Sequence, residues 1–221
     1  MKRTALFLAA GLAPVLTASA QNSIDSTLKY AWSENAGWMN WRDANNGASG
    51  VRDNRVFLSG WIWCENIGWV TLGDGTPANS LQYGNTTGTD CGVNIGEGGA
   101  LTGLAWGENV GWINFSGGAA ATPAKPARID LASNRLRGYA WGENIGWVNL
   151  DDAAKYVKLS CYANCDGSTG APALTANDFQ CFINAFAAQA PYANCDRSSA
   201  VPMLTANDFQ CFFDAYAAGC T

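Results

Sequence analysis

The chain has 221 residues, with 13 basic against 18 acidic side chains, eight cysteines and no histidine. A net charge of −5 argues against nucleic acid as a partner, since that calls for clustered lysine and arginine. The missing histidine removes serine triads, histidine general bases and nearly all zinc sites.

Residues 1–20 read as a secretory signal: Lys2 and Arg3, an apolar stretch from Ala5 to Val15, then Ala18-Ser19-Ala20 before Gln21. That stretch is too short to span a bilayer, and no later segment is long enough, so no transmembrane segment is expected. Cleavage would remove two of the 13 basic residues and leave 11 against 18, a net charge of −7. An exported chain favours disulfides over thiolate metal sites. The expected location is secreted, extracellular or at the cell surface.

Residues 21–158 are expected to form a Trp-rich, all-β repeat domain. Four copies of a Trp-x-Glu-Asn-x-Gly-Trp core run from Trp32 to Trp38, Trp63 to Trp69, Trp106 to Trp112 and Trp141 to Trp147. They start 31, 43 and 35 residues apart, so loops of variable length separate them. β-Branched and aromatic residues flank each core, while Asn and Gly supply the positive φ angles a tight reversal needs. Upstream segments such as Arg128-Ile129-Asp130-Leu131 read as a further strand, making each unit a three-stranded meander. Propeller-like, prism-like and sandwich arrangements all remain open.

The tryptophans Trp32, Trp38, Trp63, Trp69, Trp106, Trp112, Trp141 and Trp147 have two readings. The favoured one makes them cross-strand core pairs, since large aromatics dominate core energetics. The other exposes one per hairpin to stack on sugar rings. Glu34, Glu65, Glu108 and Glu143 sit in equivalent turns, where bonds to turn amides are expected. A glycosidase needs two carboxylates in different environments, so no catalytic residue is assigned and no enzyme is expected. Cys64 and Cys91, the only cysteines before residue 161, are expected to pair, closing a loop of about 27 residues at roughly 3 kcal/mol.

Residues 159–221 carry a duplication. Asn164-Cys165-Asp166 and Leu174 to Phe182 return thirty residues later as Asn194-Cys195-Asp196 and Leu204 to Phe212. Hard oxygen donors at alternating positions are what Ca²⁺ requires. The first candidate set is Asn164, Asp166, Ser168, Thr175 and Asp178, and the second is Asn194, Asp196, Ser198, Thr205 and Asp208. Two carboxylates per loop imply weak affinity, about 10⁻⁴–10⁻³ M, and Arg197 puts a positive charge beside the second site. The same residues also read as capping boxes, Thr175 with Asp178 and Thr205 with Asp208. The following helices carry apolar stripes, Phe179, Phe182, Ile183 and Phe186, then Phe209, Phe212, Phe213 and Tyr216. Repeat symmetry pairs Cys165 with Cys181 and Cys195 with Cys211, leaving Cys161 for Cys220.

Tyr162 to Phe182 and Tyr192 to Phe212 resemble the Cys-rich dockerin-like modules at the C-terminus of secreted bacterial proteins. The resemblance implies a small all-α module of two loop-helix, F-hand-like units that binds calcium. It also implies docking on a cohesin-like or cell-surface protein, with Ala176, Asn177, Ala206 and Asn207 reading the partner. The leading expectation is therefore a secreted, non-catalytic protein attached through this module. The alternative is a carbohydrate-binding protein using exposed tryptophans within a polysaccharide-degrading assembly.

Overall fold

The computed structural model describes residues 23–220, so the expected signal segment lies outside the described residues. In chain order the strands are β1 (Ile24–Ser33), β2 (Gly37–Asn40), β3 (Arg52–Asp53), β4 (Leu58–Ser59), β5 (Trp61–Cys64), β6 (Gly68–Thr71) and β7 (Val93–Ile95). Then come β8 (Leu101–Gly107), β9 (Gly111–Asn114), β10 (Arg128–Asp130), β11 (Arg135–Arg137), β12 (Tyr139–Gly142), β13 (Gly146–Asn149) and β14 (Val157–Leu159). Two helices follow, α1 (Ala176–Ala187) and α2 (Ala206–Ala218).

Each Trp-x-Glu-Asn-x-Gly-Trp core is the turn of one antiparallel hairpin: β1–β2, β5–β6, β8–β9 and β12–β13. Three residues join the strands in each hairpin, and Gly37, Gly68, Gly111 or Gly146 then takes φ between +70° and +77°. A left-handed residue directly after the turn lets the chain re-enter the ladder, and glycine takes that conformation without steric cost. The asparagines of the core do not share that conformation, contrary to the expectation.

The hairpins pair edge to edge, β2 with β5, β6 with β8 and β9 with β12. Pairing of β13 with β1 closes an eight-stranded antiparallel barrel, an architecture outside the three left open by the sequence. Closure removes the sheet edges that four free hairpins would otherwise expose. Asparagine side chains stitch neighbours together: Asn35 Nδ2 donates to the Ile145 carbonyl at 3.3 Å, Asn109 to Ile67 at 3.0 Å and Asn144 to Val110 at 3.0 Å. Among the described residues, a preceding strand pairs with its own hairpin in the third repeat alone, β7 with β8, so the meander is not general.

An eight-stranded barrel has room for little more than its own inward side chains. Here they come in sets of four, one from each repeat. Ala36, Ile67, Val110 and Ile145 fill the turn end, and Trp41, Leu72, Phe115 and Leu150 are buried where the second strands finish. Between them lie Ala31, Ile62, Ala105 and Ala140 with Met39, Val70, Ile113 and Val148. A Cβ added at Gly107 or Gly142 would meet Val110 or Ile145 at 2.7 Å, so the interior is full.

The expectation of a separate all-α, dockerin-like module of two F-hand-like units is not met. The described residues are mostly β, a closed barrel followed by two α-helices. Two physical reasons stand out. The carboxylates meant to face an ion are turned onto backbone amides at the helix starts. The segment between the helices is also fastened to the β body, in a contact that buries charge.

That contact centres on Asp53. Arg197 donates to both carboxylate oxygens of Asp53, at 2.9 and 2.5 Å, and to the Arg55 carbonyl at 2.6 Å. Arg55 reaches back from Nε to the Asn194 carbonyl at 3.0 Å and from Nη2 to the Cys195 carbonyl at 2.6 Å. Its guanidinium lies 4.2 Å from the Tyr162 ring centre. Burial alone would raise the Asp53 pKa, but the two guanidiniums outweigh it and hold the carboxyl at about 2. Burial, with Arg197 close by, lowers that of Arg55.

Between the helices Phe182 and Phe212 stack at 4.2 Å with no exposed surface. Tyr162 and Tyr192 each donate a hydroxyl to the other's carbonyl, so the duplicated halves meet about a local two-fold. Three disulfides join Cys161 to Cys220, Cys165 to Cys181 and Cys195 to Cys211. Among the described residues no helix is long and apolar enough to cross a membrane.

Candidate ligand-binding surface

Strand alternation puts every second residue of the barrel on its outer face. The hairpin tryptophans occupy those positions. Trp32 stands opposite Trp38, Trp63 opposite Trp69, Trp106 opposite Trp112 and Trp141 opposite Trp147. The four pairs are edge-to-face, with ring centres 4.6–4.9 Å apart. This is the geometry the ring quadrupoles favour.

These rings are pairs across strands, as expected, but they are not core. Seven of the eight keep 37–42% of their surface exposed, and Trp38 is half-buried. The reason is volume. The barrel interior is already filled by Ala, Val, Ile and Met, with Trp41, Leu72, Phe115 and Leu150 at one end, and eight further indoles would not fit. The alternate positions beside each tryptophan are small or aliphatic, so the sequence leaves both faces of the hairpins apolar and does not by itself choose between them.

Glu34, Glu65, Glu108 and Glu143 are all exposed at the turn end of the barrel. The bonding between turns falls instead to the adjacent asparagines, a role the sequence reading did not assign.

Cys64 and Cys91 are not bonded to each other, which corrects the expected disulfide. Cys64 occupies the inward position that Ser33, Gly107 and Gly142 fill in the other repeats, and it has no exposed surface. Burial raises its thiol pKa to about 12. Cys91 lies outside the barrel, where its thiol donates to the Thr87 carbonyl. Its pKa is also raised, by burial and then by Asp90.

In the C-terminal loops the candidate calcium ligands do come together, held by hydrogen bonds of their own. Asp178 and Asp208, both fully buried, accept from the Thr175 and Thr205 amides at 2.7 Å. They also accept from the Asp166 and Asp196 amides at 3.1 and 3.2 Å. Asp166 and Asp196 accept from the Ser168 and Ser198 amides at 2.9 Å. The bond from the Ser168 amide, the largest cause, lowers the Asp166 pKa. Asn164 and Asn194 donate through Nδ2 to the carbonyls of Ser168 and Ser198.

Both helices thus start with complete capping boxes on Thr175 and Thr205. Among the described residues no three or more acidic, histidine or cysteine side chains gather as a metal site. One feature nevertheless fits a cation: Asn194 is fully buried and its Oδ1 has no hydrogen-bond partner. The positive charge expected beside this loop is also engaged elsewhere, since Arg197 is paired with Asp53. Ala176, Asn177, Ala206 and Asn207 are exposed in the first turns of α1 and α2.

In comparison with known proteins, no family model, no curated protein and no solved structure matches the chain.

Proposed function

We propose that the protein is an exported, non-catalytic binding protein that holds polysaccharide on the outward tryptophan pairs of its barrel. One observation carries this reading: four equivalent indole pairs lie on the outside of a barrel whose interior is filled. Large apolar side chains held at the surface in this way mark interaction sites. Indole faces suit the C–H faces of sugar rings, and equivalent sites around a barrel suit a ligand that itself repeats. Three disulfides are compatible with export. Attachment through the two helices rests on the sequence resemblance alone.

The test is depletion of the protein from solution by insoluble cellulose, chitin, xylan and mannan. Retention on at least one is expected, weakened when Trp63 and Trp141 are replaced by alanine in variants whose melting shows a folded barrel. Recovery of all the protein in the supernatant, on every polymer, overturns the reading.

The buried, unpartnered Asn194 Oδ1 favours one second reading, that the second loop takes Ca²⁺. Asn194 Oδ1 would gain in the ion the partner it lacks, and Asp196, Ser198, Thr205 and Asp208 would complete the site by sharing or giving up the amide bonds they now accept. Millimolar CaCl₂ is then expected to raise the melting temperature over that in chelator, as ligation of the folded state requires. Superimposed melting curves contradict it.

A further inference from the structure

The four hairpins differ at two facing outward positions: Thr71 stands where the others carry Asn40, Asn114 and Asn149, and the residue across from it varies more in bulk. Two residues before the first tryptophan, three repeats carry an aromatic: Tyr30, Trp61 and Tyr139. Each packs edge-on against the second tryptophan of its own hairpin, with ring centres 6.2, 6.4 and 6.0 Å apart. The third repeat has Leu104 there. The shorter side chain leaves the flank of Trp112 uncovered, and a cleft of about 320 Å³ opens, walled by Leu104, Trp106, Trp112, Thr71, Gly88 and Cys91.

Its outer wall is a built structure. Asn85 Oδ1 accepts from the amides of Gly92 and Leu104, both at 3.2 Å, and the Leu104 amide also donates to the Gly92 carbonyl at 3.1 Å. Asp90 accepts from the Gly84 amide at 2.9 Å and the Ala78 amide at 3.2 Å. The segment is therefore tied both to itself and to β8.

We propose that this cleft is a distinct subsite for a single pyranose ring, stacked by one C–H face on the flank of Trp112 with hydroxyls toward Thr71 and the backbone at Gly88. The volume lies at the small end of ligand sites, which run from about 300 to 1,000 Å³, and suits one ring better than a chain. An indole wall with a hydroxyl at the rim matches a ligand that is apolar on one face and polar at its edge. The choice of sugar as the ligand class rests on the polysaccharide reading above; the cleft itself does not.

Cys91 supplies the assay. Six cysteines are in disulfides and Cys64 is sealed in the barrel, so alkylation of the folded protein by N-ethylmaleimide at mildly alkaline pH reports Cys91. The probes are the methyl pyranosides of glucose, galactose, mannose, xylose and N-acetylglucosamine. At ten times its Kd, the right one is expected to slow alkylation about tenfold, by simple occupancy. Leu104→Tyr restores the aromatic that the other three repeats accommodate and should abolish the protection. Thr71→Val should weaken it without filling the cleft.

Unchanged alkylation with every pyranoside overturns the proposal, as does protection that persists undiminished in both variants. Protection lost in Leu104→Tyr, in a protein that no insoluble polysaccharide retains, supports the cleft while sinking the polysaccharide reading. Retention on polysaccharide without any protection of Cys91 does the reverse.

Discussion

Replacing Asp53 with alanine is expected to destabilise the protein by about 3–5 kcal/mol, the range for breaking a buried ion pair from one side. Asp53 is enclosed with Arg55 and Arg197, and its removal leaves two guanidiniums facing each other away from water. Arg197→Ala should cost less, because Asp53 keeps Arg55 at 3.4 Å. Urea denaturation checks both. The contact also titrates. Its carboxyl is held at about 2 against an ordinary 3.8, so the stability it provides is complete above the ordinary value. That stability is lost as pH falls from near 4 toward 2. Asp53→Asn removes this contribution, so its melting temperature should approach that of the wild type across that window. An Asp53→Ala variant that denatures together with the wild type would show that the contact contributes nothing.

The second large effect is expected at Trp41. It has no exposed surface, lies in the main core and meets Phe115 edge-on with ring centres 6.2 Å apart. Trp41→Ala should therefore lose about 3–5 kcal/mol, as large core truncations do. Trp41→Phe should lose less, because the indole N–H that it removes is buried without a hydrogen-bond partner. The contrast with Trp63→Ala is the informative part. Trp63 belongs to a pair on the outer face, so its truncation should be the milder of the two. Equal losses at Trp41 and Trp63 would contradict the division into core and surface tryptophans.

The hairpins were legible because everything that makes them is local. Alternating apolar residues, a three-residue turn and the obligatory Gly37, Gly68, Gly111 and Gly146 all lie within a dozen positions. Barrel closure was not, because pairing of β13 with β1 joins residues more than a hundred positions apart and no single segment encodes it. The face of the tryptophans depended on that closure. An open sheet has room for indoles beneath it, whereas a closed barrel of eight short strands does not. Cys64 went astray for the same reason, since its inward orientation became visible only with the barrel.

The C-terminal third illustrates a different limit. Its duplication is plain in the sequence, and the capping boxes at Thr175 and Thr205 could be read directly. Residues spaced like calcium ligands are also good partners for backbone amides, and spacing alone does not choose between these roles. Arg197 was read as a charge spoiling an ion site, where its first-copy counterpart is Gly167. The structure gives it a partner in Asp53, a residue 144 positions away that no local pattern connects to it.

The most direct test of the central claim is tryptophan emission during titration with soluble polysaccharides of the four polymer classes above. If the outward pairs hold the ligand, at least one titration shifts the emission to shorter wavelength and saturates, and Trp63→Ala with Trp141→Ala reduces the amplitude. Emission that stays unchanged with every polysaccharide, in a protein whose cooperative melting shows a folded barrel, would contradict it.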